Sequence, residues 1–474
     1  MKAFPFTKVV ATLGPSSSSP VRLRSLLKAG MDGVRLNFSH LSYGDSRALI
    51  ETVRRLSQEL NIPLPIMQDL RGPKLRVGLL PSPLRLTRQQ EVVILCDPEG
   101  EVPPCPVQIP SDFSDLPIYT KSGDRLLLDD GKIELKVTGR ERGWVRARVV
   151  VGGTLLSNKG INLPNTVITS LPPITEKDRE DLRFGADNGV DQIALSFVQS
   201  AQDVLLLRRE LASLGSKAAV FAKIEKPLAV KNLEAILPVT DGIIIARGDL
   251  GVETRAEELF LLQKGILQRA HRMGKSVVLA TQLLESMMAL PTPTRAEVSD
   301  ISAAILDGVD ILLLSGETAV GPYPAQAVQT LKKVASQVER SPYVQPSPGV
   351  SVNREREIMN SVVHSAVVAA ESLKARWIVV FSLSGATALL LSKYRPPCPL
   401  MAFSPDPLVL NNMALYRGTF PHPLAFDADT DSLVERAVEI LRQEKRVSTG
   451  DRIVVVGGVI PAIGATNLMR IIVI

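Results

Sequence analysis

Cysteine is scarce: Cys96, Cys105 and Cys398 are the three among 474 residues. Their number is odd and they form no CxxC pair, which argues against a disulfide framework and a zinc site. Free thiols in a reducing compartment are expected instead. Long apolar runs are also missing. No stretch approaches the roughly 20 residues that span a bilayer, and Met1–Lys8 has no apolar signal region, so a soluble, cytoplasmic chain with no membrane partner is expected. Lys and Arg number 55 against 49 Asp and Glu, a net charge of +6 with pI near 9.1. The two signs are interspersed rather than gathered into a basic patch, so no nucleic-acid partner is expected. Gly274-Lys275-Ser276 resembles the end of a phosphate-binding P-loop, but position 269 is Arg and a strand follows, so it reads as a turn. No GxGxxG appears. His40, His271, His364 and His422 lie apart, without metal-ligand spacing.

What is present is a series. The length calls for two to four domains. Short apolar runs bounded by turn signals recur at 9–13, 33–37, 64–69, 192–196, 219–225, 242–246, 276–281 and 311–315, with helix-like patterns at 20–29, 45–60, 257–273 and 294–306. Eight buried strands alternating with helices predict an α/β fold, a (β/α)₈ barrel whose active site lies at the carboxyl ends of its strands. Those ends carry Asn37, Asp69, Ser196, Glu225, Arg247, Thr281 and Ser315. Between the third and fourth strands, 77–161 switches to period-two runs with glycine turns, the pattern of a small β-barrel lid inserted into a barrel loop. The barrel is therefore divided into 1–76 and 162–340. Residues 341–474 form a C-terminal open α/β domain, in which the loop Ser382, Leu383, Ser384, Gly385, Ala386, Thr387 opens a helix and suits a phosphate.

Two strand ends carry the chemistry. Lys223-Ile224-Glu225 and Arg247-Gly248-Asp249 each set a cation two residues before a carboxylate. Glu225 and Asp249 could share a hard divalent cation, which prefers oxygen ligands and keeps several waters. Lys223 would add positive charge beside it. Charge neutralisation and positioning of this kind are what phosphoryl transfer requires.

Residues across nearly the whole chain resemble the pyruvate kinase family. The matching segments include Arg35-Leu36-Asn37-Phe38-Ser39-His40, Asp69 through Arg76, Lys159-Gly160-Ile161-Asn162, Lys223-Ile224-Glu225, Ala246 to Glu253, Ala280-Thr281-Gln282 and Leu314-Ser315-Gly316-Glu317-Thr318. The resemblance implies transfer of the phosphoryl group of phosphoenolpyruvate to ADP, giving pyruvate and ATP. It implies Mg2+ or Mn2+ on Glu225 and Asp249, and catalysis by Lys223, Arg35, Arg76, Thr281 and Ser315. Substrate would be held by Arg35, Lys223, Ser196, Thr281 and the segment Ala246, Arg247, Gly248, Asp249. Nucleotide would meet Asn37, His40, Arg76 and Lys159. The resemblance also implies a homotetramer and a phosphorylated allosteric effector at Ser382, Ser384, Gly385, Ala386 and Thr387. Lys8 and Arg47 read as solvated surface.

Two departures qualify it. Many family members bind potassium through residues matching Asn37, Ser39, Asp69 and the carbonyl of the next residue, here Leu70, in a segment reading Asp-Thr-Lys-Gly-Pro-Glu. This chain reads Asp69-Leu70-Arg71-Gly72-Pro73-Lys74. A lysine replaces the glutamate. A unit charge at about 4 Å in an effective dielectric near 20 is worth roughly 4 kcal/mol, so Lys74 is expected to substitute for the cation and potassium is not expected to be required. Second, Gly458 is followed by Val459-Ile460, without the Gly-Trp-Arg pattern of members activated by fructose bisphosphate. A monophosphorylated effector, or none, is the expectation. Two rivals remain: a barrel lyase or aldolase acting on pyruvate enolates, and a catalytically dead metabolite-binding homologue. The first has no need of a lid; the intact cationic and carboxylate set argues against the second.

Overall fold

The computed structural model describes residues 5–97, 104–164, 166, 168, 171–344, 349–350, 357–426, 429–458 and 466–474. Eight parallel strands close into a barrel: Lys8–Thr12, Gly33–Asn37, Ile66–Asp69, Gln192–Leu195, Ala219–Ile224, Gly242–Ala246, Ser276–Ala280 and Ile311–Leu314. Closure is made by the first and eighth, with Lys8 opposite Ile311 and Ala11 opposite Leu314. Side-chain alternation sorts these apolar runs into two layers. Val10, Met67, Ala194, Phe221, Ile244, Val278 and Leu313 form one buried cluster inside the barrel. Val9, Ala11, Ile243, Ile245, Val277, Leu279, Leu312 and Leu314 join the larger cluster beneath the helices.

The helices begin where the sequence supplies caps. Ser19 caps Pro20–Ala29, which Gly30 ends at φ 106°. Thr294 and Glu297 form a reciprocal capping box on Arg295–Asp307, which Gly308 ends at the same φ.

The period-two region folds as expected into strands. A six-stranded sheet orders Ile161–Asn162, Arg125–Leu128, Ile133–Glu141, Trp144–Val151, Glu91–Leu95 and Gln108–Pro110. It has a buried core of its own that includes Ile94, Leu126, Leu135, Val145 and Val149. Two crossing chains connect it to the barrel, where Val77 N–H donates to Lys159 O (2.8 Å) and Ile161 N–H to Leu75 O (2.9 Å). At one tip Asp129, Asp130 and Gly131 are all left-handed, with φ of 50°, 54° and 83°.

The third part is a five-stranded sheet ordered Thr419–Pro423, Leu400–Ser404, Trp377–Phe381, Arg452–Gly457 and Leu468–Val473, the last antiparallel. It covers the amino-terminal mouth of the barrel. Lys8 Nζ donates to Thr419 O (2.7 Å), Asn411 Nδ2 to Asp191 Oδ1 (2.8 Å), and Lys393 Nζ to Asp310 Oδ2 (2.5 Å). Lys8 is therefore not solvated surface. It is 4% exposed and paired with Asp32, and burial lowers its pKa to about 8. With that mouth covered, the carboxyl ends of the strands and the lid define the open one. Among the described residues no helix is long and apolar enough to cross a membrane, and the three cysteines are free.

Candidate active site at the carboxyl mouth of the barrel

Lys223 lies one residue before the end of the fifth strand, and its side chain is 13% exposed. Its ammonium lies 2.9 Å from Glu225 Oε1 and 3.2 Å from Asp69 Oδ1, and donates to Ser196 Oγ at 2.8 Å. Burial opposes that charge, but Asp69 and Glu225 outweigh it and hold the pKa above the ordinary lysine value. Asp69 also receives Arg35 Nε at 2.7 Å, and Arg35 Nη1 donates to Thr12 Oγ1 at 3.0 Å. Burial alone would raise the Asp69 carboxyl; Arg35 and Lys223 keep it below the usual range. Ser196 Oγ donates in turn to Leu70 O (2.7 Å). Strand ends two, three, four and five are thus tied into one network.

Glu225 is 1% exposed. Its Oε2 accepts the Phe197 N–H at 2.7 Å. Oε1 is buried against the Lys223 ammonium at 2.9 Å. Burial, and then the charge of nearby Asp249, push this carboxyl upward. A buried carboxylate beside a second carboxylate suits a hard divalent cation, which could complete its shell with water and substrate oxygens. No cluster of three His, Cys, Asp or Glu side chains able to cage a metal occurs among the described residues. The two carboxylates fit an Mg2+ or Mn2+ that keeps several waters.

Asp249 lies in the first turn of Arg247–Glu253, which follows the sixth strand after Ala246. The Gly248 N–H donates to Thr281 Oγ1 at 2.7 Å. The Arg247 side chain is buried, and its guanidinium is taken up by protein partners. It meets Asp300 at 2.5 Å and donates to the carbonyls of Gln282 (2.8 Å) and Thr281 (3.2 Å), so it positions a loop. Thr281 and Gln282 have φ of 67° and 53°, and Phe197 of 56°. Left-handed backbone at a β-branched or bulky residue costs energy and tends to cluster where function constrains the chain. Ser315 N–H donates to buried Glu317, whose other oxygen accepts Leu284 N–H, at 2.9 and 3.1 Å.

On the other side of the mouth, the charges of Arg76, Arg35 and Arg71 act on His40 and, after burial, lower its pKa. Arg76 Nη1 donates to Asn158 O (2.9 Å), while its Nε is buried without a partner. Asn37 Oδ1 accepts the Ser39 N–H at 3.2 Å. Lys159 pairs with Asp129 at 2.8 Å, at the lid tip. Lys74 reaches into the site, 3.1 Å from Asp249 and 3.4 Å from Asp130 of the lid. Burial opposes its charge, but Asp249 and Asp130 raise its pKa. Its contacts are on the Asp249 side rather than on Asn37, Ser39, Asp69 or Leu70.

Sequence reasoning did not single out Arg71, Asp130, Asp300 or Glu317. Glu317 and Arg71 stood inside quoted motifs, but nothing local marks their partners. In the C-terminal part, Gly385 (φ 78°) precedes the helix Ala386–Lys393. Ser382 is buried, and Thr387 Oγ1 is 2.7 Å from Thr466 Oγ1. Val459 and Ile460 lie outside the described residues.

A family model described as "Pyruvate kinase, barrel domain" matches residues 4–328, and one described as "Pyruvate kinase, alpha/beta domain" matches 360–472. The chain is similar to a pyruvate kinase of Agrobacterium vitis, 39% identical over 474 residues, covering 98% of this chain and 97% of the relative. Pyruvate kinase 2 of Synechocystis sp. is 38% identical over 98% of this chain and 78% of its own length. A pyruvate kinase of Clostridium perfringens is 36% identical, with 98% and 99% covered.

Proposed function

The chain belongs to the pyruvate kinase family, and from that premise we propose how its own residues carry the reaction. It is a phosphotransferase. Phosphoenolpyruvate loses its phosphoryl group to ADP: the bond between phosphorus and the enol oxygen breaks, a bond to the terminal oxygen of ADP forms, and the enolate left behind takes a proton to become pyruvate. The observation that carries the reading is the Lys223 ammonium, held by Glu225, Asp69 and Ser196 at the open mouth. Mg2+ or Mn2+ bound by Glu225 and Asp249 would supply charge neutralisation for the oxygens of the substrate.

Lys223 faces the migrating phosphoryl group and the enolate oxygen, a preorganised charge aimed at where negative charge develops. Arg35, fixed by Asp69 and Thr12, presents a planar fork to the phosphoryl oxygens. Amides of the Ala246–Asp249 segment receive the substrate carboxylate at the start of its helix, and Thr281, which holds the Gly248 N–H, closes that wall. Ser196 orients Lys223. Ser315, beside Thr281, orders the water that delivers the proton. Arg76, His40, Asn37 and Lys159 meet the nucleotide, and Lys74 supplies from the Asp249 side the charge that potassium brings in other members. We divide the chain at 76/77, 161/162 and 340/341 into barrel, lid and C-terminal domain. A cytoplasmic homotetramer with a monophosphate effector at Ser382–Thr387 completes the reading.

A coupled assay for pyruvate and ATP formed from phosphoenolpyruvate and ADP tests it. Turnover lost on removing the divalent cation and restored by Mg2+ or Mn2+ is the expected result; cation-independent turnover would overturn the metal assignment.

A further inference from the structure

The segment 69–74 serves the site at three points. Asp69 fixes Arg35 and Lys223, the Leu70 carbonyl accepts Ser196 Oγ at 2.7 Å, and Lys74 lies 3.1 Å from Asp249. Between them the chain turns at Gly72, whose φ is 67°. The turn is pressed onto the end of the fourth strand, since a Cβ on Gly72 would stand 2.9 Å from Ser196 Cβ. Lys74 then follows a narrow path: a Cβ on Gly160 would stand 2.8 Å from Lys74 Cε. Asp178 reaches the turn from elsewhere. It is 0% exposed, in the first turn of the helix Glu176–Asp187. Its Oδ2 completes a capping box with Thr175, accepting that backbone N–H at 2.9 Å and Oγ1 at 2.6 Å. Its Oδ1 accepts the Gly72 N–H at 3.1 Å. Capping calls for the first oxygen alone. In the box on Ala201–Ser213 both oxygens of Asp203 stay with Gln199 and Ser200. Asp178 instead gives one to a segment 106 residues away.

We propose that Asp178 is a positioning residue: by fixing the Gly72 amide it aims the Lys74 ammonium at Asp249 and so keeps the enzyme independent of potassium. The inference rests on the reading of Lys74 as the charge that replaces that cation. Glycine moves freely between backbone conformations, and Gly72 has no side chain of its own to select one. A hydrogen bond to a buried carboxylate is strong enough to do so. Lys74 comes two residues later, and its own N–H returns to Gly72 O at 3.0 Å. A rotated Gly72 peptide therefore carries the lysine with it. The ammonium would then leave Asp249, and a monovalent cation from the medium would have a missing charge to supply. Asp178 acts only through the turn, because its bonds go to Thr175 and Gly72.

The test measures kcat and KM for phosphoenolpyruvate in the full-length protein, with potassium chloride exchanged for tetramethylammonium chloride at constant ionic strength. The parent should respond less than about twofold. Asp178→Ala should become activated by potassium about fivefold or more, since it loses a bond to a charged group. Asp178→Asn, which keeps a single acceptor to offer Gly72 or Thr175, should fall between the two and stands in if the alanine variant does not fold. Thr175→Ala loosens the same helix start but leaves the Gly72 bond, so it should melt earlier yet stay insensitive to potassium. Adding Asp178→Asn to Lys74→Met should raise the potassium response no further than Lys74→Met does alone. Folded Asp178 variants that ignore potassium while Lys74→Met responds would overturn the positioning role. Equal activation of Thr175→Ala would overturn it as well, by showing that any loosening of the helix suffices. A Lys74→Met enzyme indifferent to potassium would instead overturn the reading of Lys74, and this inference with it.

Discussion

Replacing Lys223 with methionine removes the charge while keeping much of the stem. In the parent the ammonium has three partners at 2.8–3.2 Å, so it is fixed before substrate arrives and needs no reorganisation during transfer. Loss of one such donor is worth about 3–4 kcal/mol of barrier, a fall in kcat of roughly a hundred- to a thousandfold at about 1.4 kcal/mol per factor of ten. The fold should suffer less than the 3–5 kcal/mol typical of a stranded buried charge. Asp69 keeps Arg35 at 2.7 Å and Glu225 keeps the Phe197 N–H at 2.7 Å. The measurement is kcat and KM for phosphoenolpyruvate at saturating ADP and Mg2+, with a thermal melt beside it. Lys223→Arg should recover only part of the rate, since a planar fork does not fit a site built around a compact ammonium. A folded Lys223→Met enzyme whose kcat stays within about threefold of the parent would refute the reasoning, because that is less than 1 kcal/mol of barrier.

Arg247→Met should lower kcat/KM by about tenfold or more, since hydrogen bonds to a charged group are worth about 1.5–3 kcal/mol and here they hold the left-handed Thr281–Gln282 segment; parent-like kinetics would show that segment to be self-supporting. Activity in Tris or tetraalkylammonium buffer should rise less than about twofold on adding potassium, because Lys74 already provides a charge worth roughly 4 kcal/mol; strong activation by potassium would contradict this. His271 is buried beside Asp310, Lys393 and Arg395, and burial lowers its pKa from 6.5 to about 3. The unfolded chain therefore takes up a proton below pH 6.5 that the folded one refuses, so stability falls as pH drops from 6.5 toward 3, by a total of about 3–5 kcal/mol. His271→Gln should flatten that slope in denaturant melts, and an unchanged slope would place the titration elsewhere. Gly308→Ala combines a left-handed φ of 106° with a Cβ 2.2 Å from Arg395 Nη2 and 2.4 Å from His271 Cε1, so a loss of about 2–5 kcal/mol is expected; a variant melting like the parent would mean the cluster can shift freely.

All eight barrel strands could be read from local pattern, because a strand buried on both faces is a short apolar run and the turn residues bounding it are local as well. Gly242–Ala246 and Trp144–Val151 fall where the sequence sets them, one continuous and one alternating. Side-chain direction is less local. Lys8 reads as an ordinary surface lysine until a domain more than 300 residues later covers the barrel mouth and gives it Thr419 O. Arg247 is legible as a charge in the right loop, but only the fold buries it and pairs it with Asp300. The left-handed backbone of Phe197, Thr281 and Gln282 has no sequence signature, since none of the three is a residue type that favours it. Asp130 is 56 residues from Lys74, and no periodicity links them.

Counting charge at the mouth shows why position 74 matters so much. Asp69, Glu225 and Asp249 bring three negative charges; Arg35, Lys223 and Lys74 bring three positive ones, each within 2.7–3.2 Å of an opposite charge. Within this set of six the side chains balance one another. A bound divalent cation adds two positive charges, which the phosphoryl and carboxylate groups of the substrate can match. A glutamate at 74 would shift the same balance by two units toward negative, and a site so built needs another cation to recover it. One substitution thus joins two properties that seem separate, independence from potassium and an ammonium poised between the cation ligand and the lid. They should change together when Lys74 is replaced.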